Sequence, residues 1–282
     1  MLRNEIQEKT GLTRKAIEYY EEKGLIKPLR LENGYRNYSN EDLDILNQIS
    51  LFRKLGLSIA EIKESLSSDC KFLASILRRK DHKLEIEKKR KDLIELILKK
   101  ENPKVIGDKI AIIEAEESIC EKLSNAFPGY FGQLMFSSYQ PFLNERLDKE
   151  GKASYKKFLA YLDSLPPFRL SKKEQAYIEE LSGAYDMKDL EELNESKIEA
   201  VDNYDQWLKE NEDMVDKYQE YKNSNEYQNS PMKIIQEKLQ KYMVDNKYYE
   251  TAIPLIRKFS KSYDDYYQKL LIVNDKYLEL NK

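Results

Sequence analysis

A chain of 282 residues with 35% charged, 40% hydrophobic and 11% aromatic residues is long enough for about two domains and too aromatic to be wholly disordered. Five valines and three threonines argue against a large sheet, two cysteines build no disulfide framework, and no apolar run reaches the ~18–20 residues of a membrane helix. The net charge of −3 divides unevenly: residues 1–100 hold 22 Lys and Arg against 17 Asp and Glu, a net of +5, whereas the remainder hold 26 against 34, a net of −8. A basic front half suits a polyanionic partner. With no signal-peptide core at the N-terminus, a reduced cytoplasmic setting without a membrane partner is expected.

The first 66 residues are punctuated by Gly11, Gly24, Gly34 and Gly56. Ile6 opens a helical segment that stops near Thr10-Gly11. Thr13 is placed to cap a second helix, which runs to Gly24, a residue suited to the left-handed C-terminal cap. Two short helices joined by a glycine turn have the shape of a helix-turn-helix. Asn33-Gly34, between Arg30-Leu31 and Tyr35-Arg36, predicts a hairpin with a type I′ turn, in which both turn residues take positive φ. A hairpin in that place is a wing. Ser39-x-x-Asp42 and Ser58-x-x-Glu61 predict capping boxes at the starts of two further helices.

From about Asp69 to Lys100 the pattern is one long helix with apolar ends and a basic middle, in which Arg78 to Lys91 carry eight cations against three carboxylates. That middle reads as a solvated face or as an auxiliary phosphate contact. Asn102-Pro103 is expected to end the helix, because the residue before proline avoids the α region. Beyond Pro103 the chain reads helical, broken at "FPGYFG", with a capping box at Ser171-x-x-Glu174, a stop at Gly183 and a cap at Ser230-Pro231.

The run "IQEKTGLTRKAIEYYEEKGLIKPLRLENGYRNYSNEDLDILNQISLFRKLGLSIAEIKESL" resembles the DNA-binding domain of the MerR family of bacterial transcription regulators. The turn glycine, "YYEEKGL", the proline after it, "GYRNYS" and "LGLSIAEIKE" carry the resemblance over residues 1 to about 66. It implies an all-α protein with one small winged element. Residues 1–68 would form the winged helix-turn-helix, 69–101 a long antiparallel coiled-coil dimerisation helix, and 102–282 a helical effector or regulatory domain. A homodimer would then bind an inverted-repeat operator in promoter DNA and alter its conformation, with RNA polymerase on the same promoter.

Thr13, Arg14 and Lys15 stand at the N-terminal end of the second helix, the end that meets base edges in such motifs. Tyr19 and Tyr20, about 100° apart on that helix, are expected to divide between packing inward and offering a hydroxyl to phosphate. Tyr35 and Arg36 resemble the pair that grips the backbone beside the groove, and Arg3 is a further candidate contact. Relatives usually carry arginine or histidine where Glu18 stands. Glu18 either accepts from a cytosine amino group or pairs with Arg14 and orients it. In the long helix, Leu73, Ile76, Leu77, Leu84, Ile94 and Ile97 are the expected dimer contacts.

Soft metals need two or more Cys or His ligands close together. Cys70, His82 and Cys120 are scattered, so neither a metal site nor a cofactor is expected, with a signal through Cys70 as the weaker alternative. Seventeen of the 21 tyrosines lie beyond residue 101. Tyr130, Phe131, Tyr139, Phe142, Tyr204 and Trp207 are the candidates for holding a small organic effector, cationic or aromatic, by cation–π contact and burial. A protein partner for this half is the rival expectation. With no Gly-rich phosphate loop, no H-E-x-x-H and no G-x-S-x-G, no enzyme is expected.

Overall fold

A computed structural model describes residues 1–67 and 72–280. The described chain is almost entirely helical and falls into two compact units, Met1–Leu73 and Ala74–Lys282. Among the described residues no helix is long and apolar enough to cross a membrane.

The first unit comprises α1 (Arg3–Thr10), α2 (Arg14–Glu22), β1 (Leu29–Arg30), β2 (Arg36–Asn37), α3 (Asn40–Lys54) and α4 (Ile59–Ser67). Gly11, at φ 66°, turns the chain between α1 and α2, where a side chain would be strained. Thr13 then caps α2, its side chain accepting from the Ala16 N–H. Both capping boxes form: Ser39 accepts from Asp42 N–H and Ser58 from Glu61 N–H, while each acid reaches back to the serine backbone. Ile6, Ile17, Tyr20, Ile26, Leu46, Ile49, Phe52 and Ile62 are buried and form the core on which the helices close.

The two strands pair antiparallel with Leu29 opposite Asn37 and Arg30 opposite Arg36. Their turn differs from the predicted type I′. Gly34 takes a positive φ of 79°, whereas Asn33 does not. Gly34 N–H donates to Leu31 O and Leu31 N–H to Tyr35 O, so the loop is longer than two residues. The reason is local: Asn33 Oδ1 accepts from the Tyr35 N–H at 3.1 Å, a side-chain turn that holds Asn33 at negative φ.

The second unit begins within α5 (Leu73–Leu98) and continues with α6 (Pro103–Ala126), α7 (Tyr130–Tyr139) and a 3-10 turn at Gln140–Phe142. Then follow α8 (Lys149–Ser164), α9 (Lys172–Ser182), α10 (Met187–Asp202), α11 (Tyr204–Asn223), α12 (Asn225–Gln228), α13 (Pro231–Asp245), α14 (Tyr248–Phe259) and α15 (Lys261–Leu280). α8 lies against α14, α6 against α7 and α8, and α10 against α7 and α15. Their shared core is rich in rings. Phe158, for example, meets Phe259 at 5.5 Å between centroids, and Phe127 stands edge-on to Tyr242 and Tyr248.

At "FPGYFG" the chain turns from α6 into α7 with Gly129 at φ 75°. Gly132 sits where a Cβ would lie 2.3 Å from the Phe127 carbonyl oxygen, a backbone atom with little room to yield. Gly132→Ala should therefore cost about 1–3 kcal/mol through displacement of the start of α7, read as a lower denaturant midpoint at unchanged slope. Gly107→Ala, where a Cβ meets nothing within 4 Å, is the control and should not destabilise.

The long basic helix is the main departure from expectation. α5 ends at Leu98, two residues short of the expected Lys100, because Lys100 takes a left-handed φ of 58° and Glu101 N–H bonds back to Leu96 O. Asn102 caps the next helix, with Pro103 at its first position. α5 and α6 form an antiparallel hairpin in which Ile86, Leu93 and Ile113 pack together. Lys89 bonds Glu116 and Arg90 bonds Glu117 across it. The basic middle is therefore not a uniformly solvated face. Arg78 is fully buried: Nε donates to Gln133 Oε1 at 2.6 Å, and Nη1 donates to the carbonyls of Ser182 and Tyr185 at 2.9 and 2.7 Å.

Candidate nucleic-acid interface

The first unit gathers cations onto α2 and the wing. At the N-terminal end of α2, Thr13, Arg14 and Lys15 are all exposed. Tyr19 and Tyr20 face different ways: Tyr20 is buried, while Tyr19 is 41% exposed, with the Lys23 ammonium 5.3 Å from its ring centre. In the wing, Tyr35 is 64% exposed at the loop tip. A shallow cleft beside it is lined by Arg3, Asn4, Gly34, Tyr35 and Arg36.

Two carboxylates hold four arginines of this surface. Glu18 Oε1 accepts from Arg14 Nε at 2.9 Å and lies 3.3 Å from Arg3 Nη1. Its carboxyl is held below the usual range, chiefly by the Arg14 hydrogen bond. Three residues on, and so on the same face of α2, Glu21 accepts from Arg36 Nε and lies 3.9 Å from Arg30 Nη2. The Glu21 hydrogen bond raises the Arg36 guanidinium above its ordinary value. Glu21 and Arg30 escaped the sequence reading. The signal available was spacing: acids at 18 and 21 share a face, and the hairpin register sets Arg30 directly opposite Arg36. The outcome is a surface of clamped cations, able to meet phosphates once the acids release them or share them.

α5 shows where the six expected dimer contacts lie. Leu77, Leu84, Ile94 and Ile97 are each more than half exposed, Leu73 is half-buried, and Ile76 is 2% exposed. Ile76 is thus a core residue of its own subunit and is not available to a second copy.

The aromatic candidates of the second unit do not converge on one site. Phe131, Tyr139 and Phe142 are buried core residues: Phe131 packs on Phe168, the Tyr139 and Tyr248 hydroxyls hydrogen-bond each other, and Phe142 lies against Tyr263 and Tyr266. Burial raises the Tyr139 phenol well above its ordinary value. Tyr130 is half-buried with the Arg78 guanidinium 5.4 Å from its ring centre. Tyr204 and Trp207, also half-buried, stand on α11 outside that core cluster. Phe131, Tyr139 and Phe142 are thus committed to other rings, whereas Tyr130, Tyr204 and Trp207 keep part of their surface exposed.

A cleft of about 730 Å³ does open in the second unit beside α5 and α6. Arg78, His82, Cys120, Gln133, Phe136 and Met187 are among its lining residues. The Cys120 thiol is pushed up to about 12, first by burial and then by Glu116, so it is no reactive thiolate. Cys70 lies outside the described residues.

Residues 3–69 match the family described as MerR HTH family regulatory protein. The HTH-type transcriptional regulator CueR of Salmonella typhi is 47% identical over 62 residues, 22% of this chain and 45% of the relative. CueR of Vibrio cholerae is 46% identical over 65 residues, 23% and 47% of the two chains. The HTH-type transcriptional regulator HmrR of Rhizobium leguminosarum bv. viciae is 43% identical over 63 residues, 22% and 49%. The chain thus spans about half the length of the curated relatives it matches. No solved structure matches the chain.

Proposed function

From the premise that residues 3–69 are a MerR-family helix-turn-helix domain, we propose that the chain is a transcription regulator that binds an inverted-repeat operator as a homodimer and alters the conformation of the promoter for RNA polymerase. One observation carries the DNA reading: Arg14, Lys15, Tyr19, Tyr35 and Arg36 stand together on α2 and the wing of a small unit whose apolar side chains close its core. A homodimer is supported by the exposed Leu77, Leu84, Ile94 and Ile97 of α5, apolar side chains of a helix whose Ile86 and Leu93 are covered by α6. A two-fold operator follows from a two-fold protein.

The second unit is the regulatory half in this reading. A small organic effector remains the proposed signal, supported by the aromatic and acidic composition of residues beyond 101. Whatever the effector, it must bind the DNA-distorting state more tightly than the other, because equal affinity shifts nothing.

Fluorescence anisotropy of the full chain on a duplex containing an inverted repeat tests the DNA reading, with sedimentation giving the subunit count. Salt-dependent attachment of two chains per operator is expected, and monomers without affinity for any duplex would contradict it. Glu18→Arg should raise affinity for all duplexes, because it frees Arg3 and Arg14 and adds a cation. If Glu18→Arg instead lowered affinity on every duplex, Glu18 would be positioning Arg14 for DNA, and the expectation that it withholds Arg3 and Arg14 would be wrong.

A further inference from the structure

We infer that His82, Glu85 and Glu116 form a binding site for a divalent first-row transition cation, with Lys89 occupying the charge position when the cation is absent. His82 and Glu85 lie three residues apart on one face of α5, and the hairpin sets Glu116 of α6 across from them. One donor atom from each residue lies within 4.8 Å of the others, close enough for small side-chain rotations to bring all three onto one ion.

His82 supplies the independent observation. It is more than nine-tenths buried, and neither Nδ1 nor Nε2 has a hydrogen-bond partner among the described residues. Its ring stands edge-on to Phe136 at 4.7 Å, which fixes the imidazole without satisfying it. Buried polar groups are nearly always paired, so a buried imidazole with an unpartnered nitrogen beside two carboxylates has a coordination position open to an ion. Gln140 adds to the pattern: its amide nitrogen reaches Glu85 at 3.2 Å and Glu116 at 3.3 Å, while its Oε1 is buried without a partner.

Charge completes the argument. Lys89 Nζ contacts Glu85 at 2.7 Å and both Glu116 oxygens at 2.8 Å. One ammonium faces two carboxylates, and Glu116 is only 4% exposed. A divalent ion would neutralise both acids, use the idle imidazole and free Lys89 to swing outward on its flexible stem. One nitrogen and two carboxylate ligands suit zinc and its first-row neighbours. Cys120 follows Glu116 by one helical turn, but it is not among the converging donors.

The test is titration of the chelator-stripped full chain with Co2+, read by its visible absorption, followed by displacement with Zn2+. One Co2+ per chain is expected, with d–d bands and without thiolate charge-transfer bands. His82→Gln should weaken binding at least tenfold, and Cys120→Ser should leave it unchanged. Lys89→Met, which removes the internal competitor and leaves Glu116 buried without its cation, should bind Co2+ at least tenfold more tightly than the native chain. Zn2+ should also raise its Tm by more than it raises that of the native chain. Thiolate bands, native affinity in His82→Gln, or no Co2+ uptake by Lys89→Met would each overturn the site. A native chain that takes up Co2+ only weakly beside a tight Lys89→Met would support it, since Lys89 would then be the dominant competitor.

Discussion

Arg14→Ala is expected to weaken operator binding about tenfold to a hundredfold, the ~1–3 kcal/mol that a well-placed base-edge contact carries, and to relax sequence preference at the position it reads. Arg36→Ala is expected to weaken binding to all duplexes nearly uniformly and to reduce the salt dependence by about one counterion, as loss of a phosphate contact does. The distinction follows from placement under the proposed binding mode: Arg14 opens α2, the end that meets base edges in helix-turn-helix proteins, whereas Arg36 lies on β2 of the hairpin. Anisotropy at several salt concentrations, on native and base-substituted duplexes, separates the two. The expected site is wrong if both variants bind as the native chain does, or if Arg36→Ala alone changes sequence preference without changing the salt slope. Because Glu18 and Glu21 hold these arginines, removing an arginine also strips its acid of a partner. Circular dichroism of each variant therefore accompanies the binding curves.

Arg78→Ala should destabilise the second unit by about 3–5 kcal/mol. The guanidinium is fully buried and joins three segments: it donates to Gln133 on α7 and to the carbonyls of Ser182 and Tyr185 around the end of α9. Gln133 in turn donates to the carbonyl and hydroxyl of Ser75 on α5, at 2.7 and 3.0 Å. Removing Arg78 leaves several buried acceptors without donors and a void beside Tyr130. Burial lowers the Arg78 pKa, yet arginine keeps its charge at any physiological pH, so the loss on substitution does not depend on pH. Arg78→Lys should not rescue, because a single ammonium cannot reproduce the planar fork. Chemical denaturation checks both variants: a midpoint within error of the native chain would mean that the network is replaceable by water. Lys83→Ala, on the exposed side of the same helix, should leave the midpoint unchanged.

What was legible in the sequence was what is settled within a few residues. Thr13, Ser39, Ser58, Ser171 and Ser230 all cap helices as their side chains and spacing require, because an oxygen two or three residues before an unpaired N–H satisfies it without help from the rest of the fold. The glycine turn at Gly11 and the hairpin after Pro28 belong to the same class, and the helix-turn-helix pattern carried the whole first unit with them. Even there, the turn type at Asn33-Gly34 depended on whether the asparagine used its backbone or its side chain, a choice between two nearby hydrogen bonds that composition does not rank.

The tertiary structure alone decided which faces are covered. Arg78, Lys89 and Arg90 read alike as members of one basic run. Yet Arg78 is sealed among carbonyls from residues more than a hundred positions away, Lys89 sits between two carboxylates, and Arg90 remains near the surface. Likewise Ile76 and Leu77 are neighbours in an apolar patch, but one is core and the other lies open to solvent. Glu116, His82 and Glu85 meet only because α5 and α6 close as a hairpin. Desolvation and pairing depend on partners brought from afar, and a pattern read along one helix holds no information on which partner arrives.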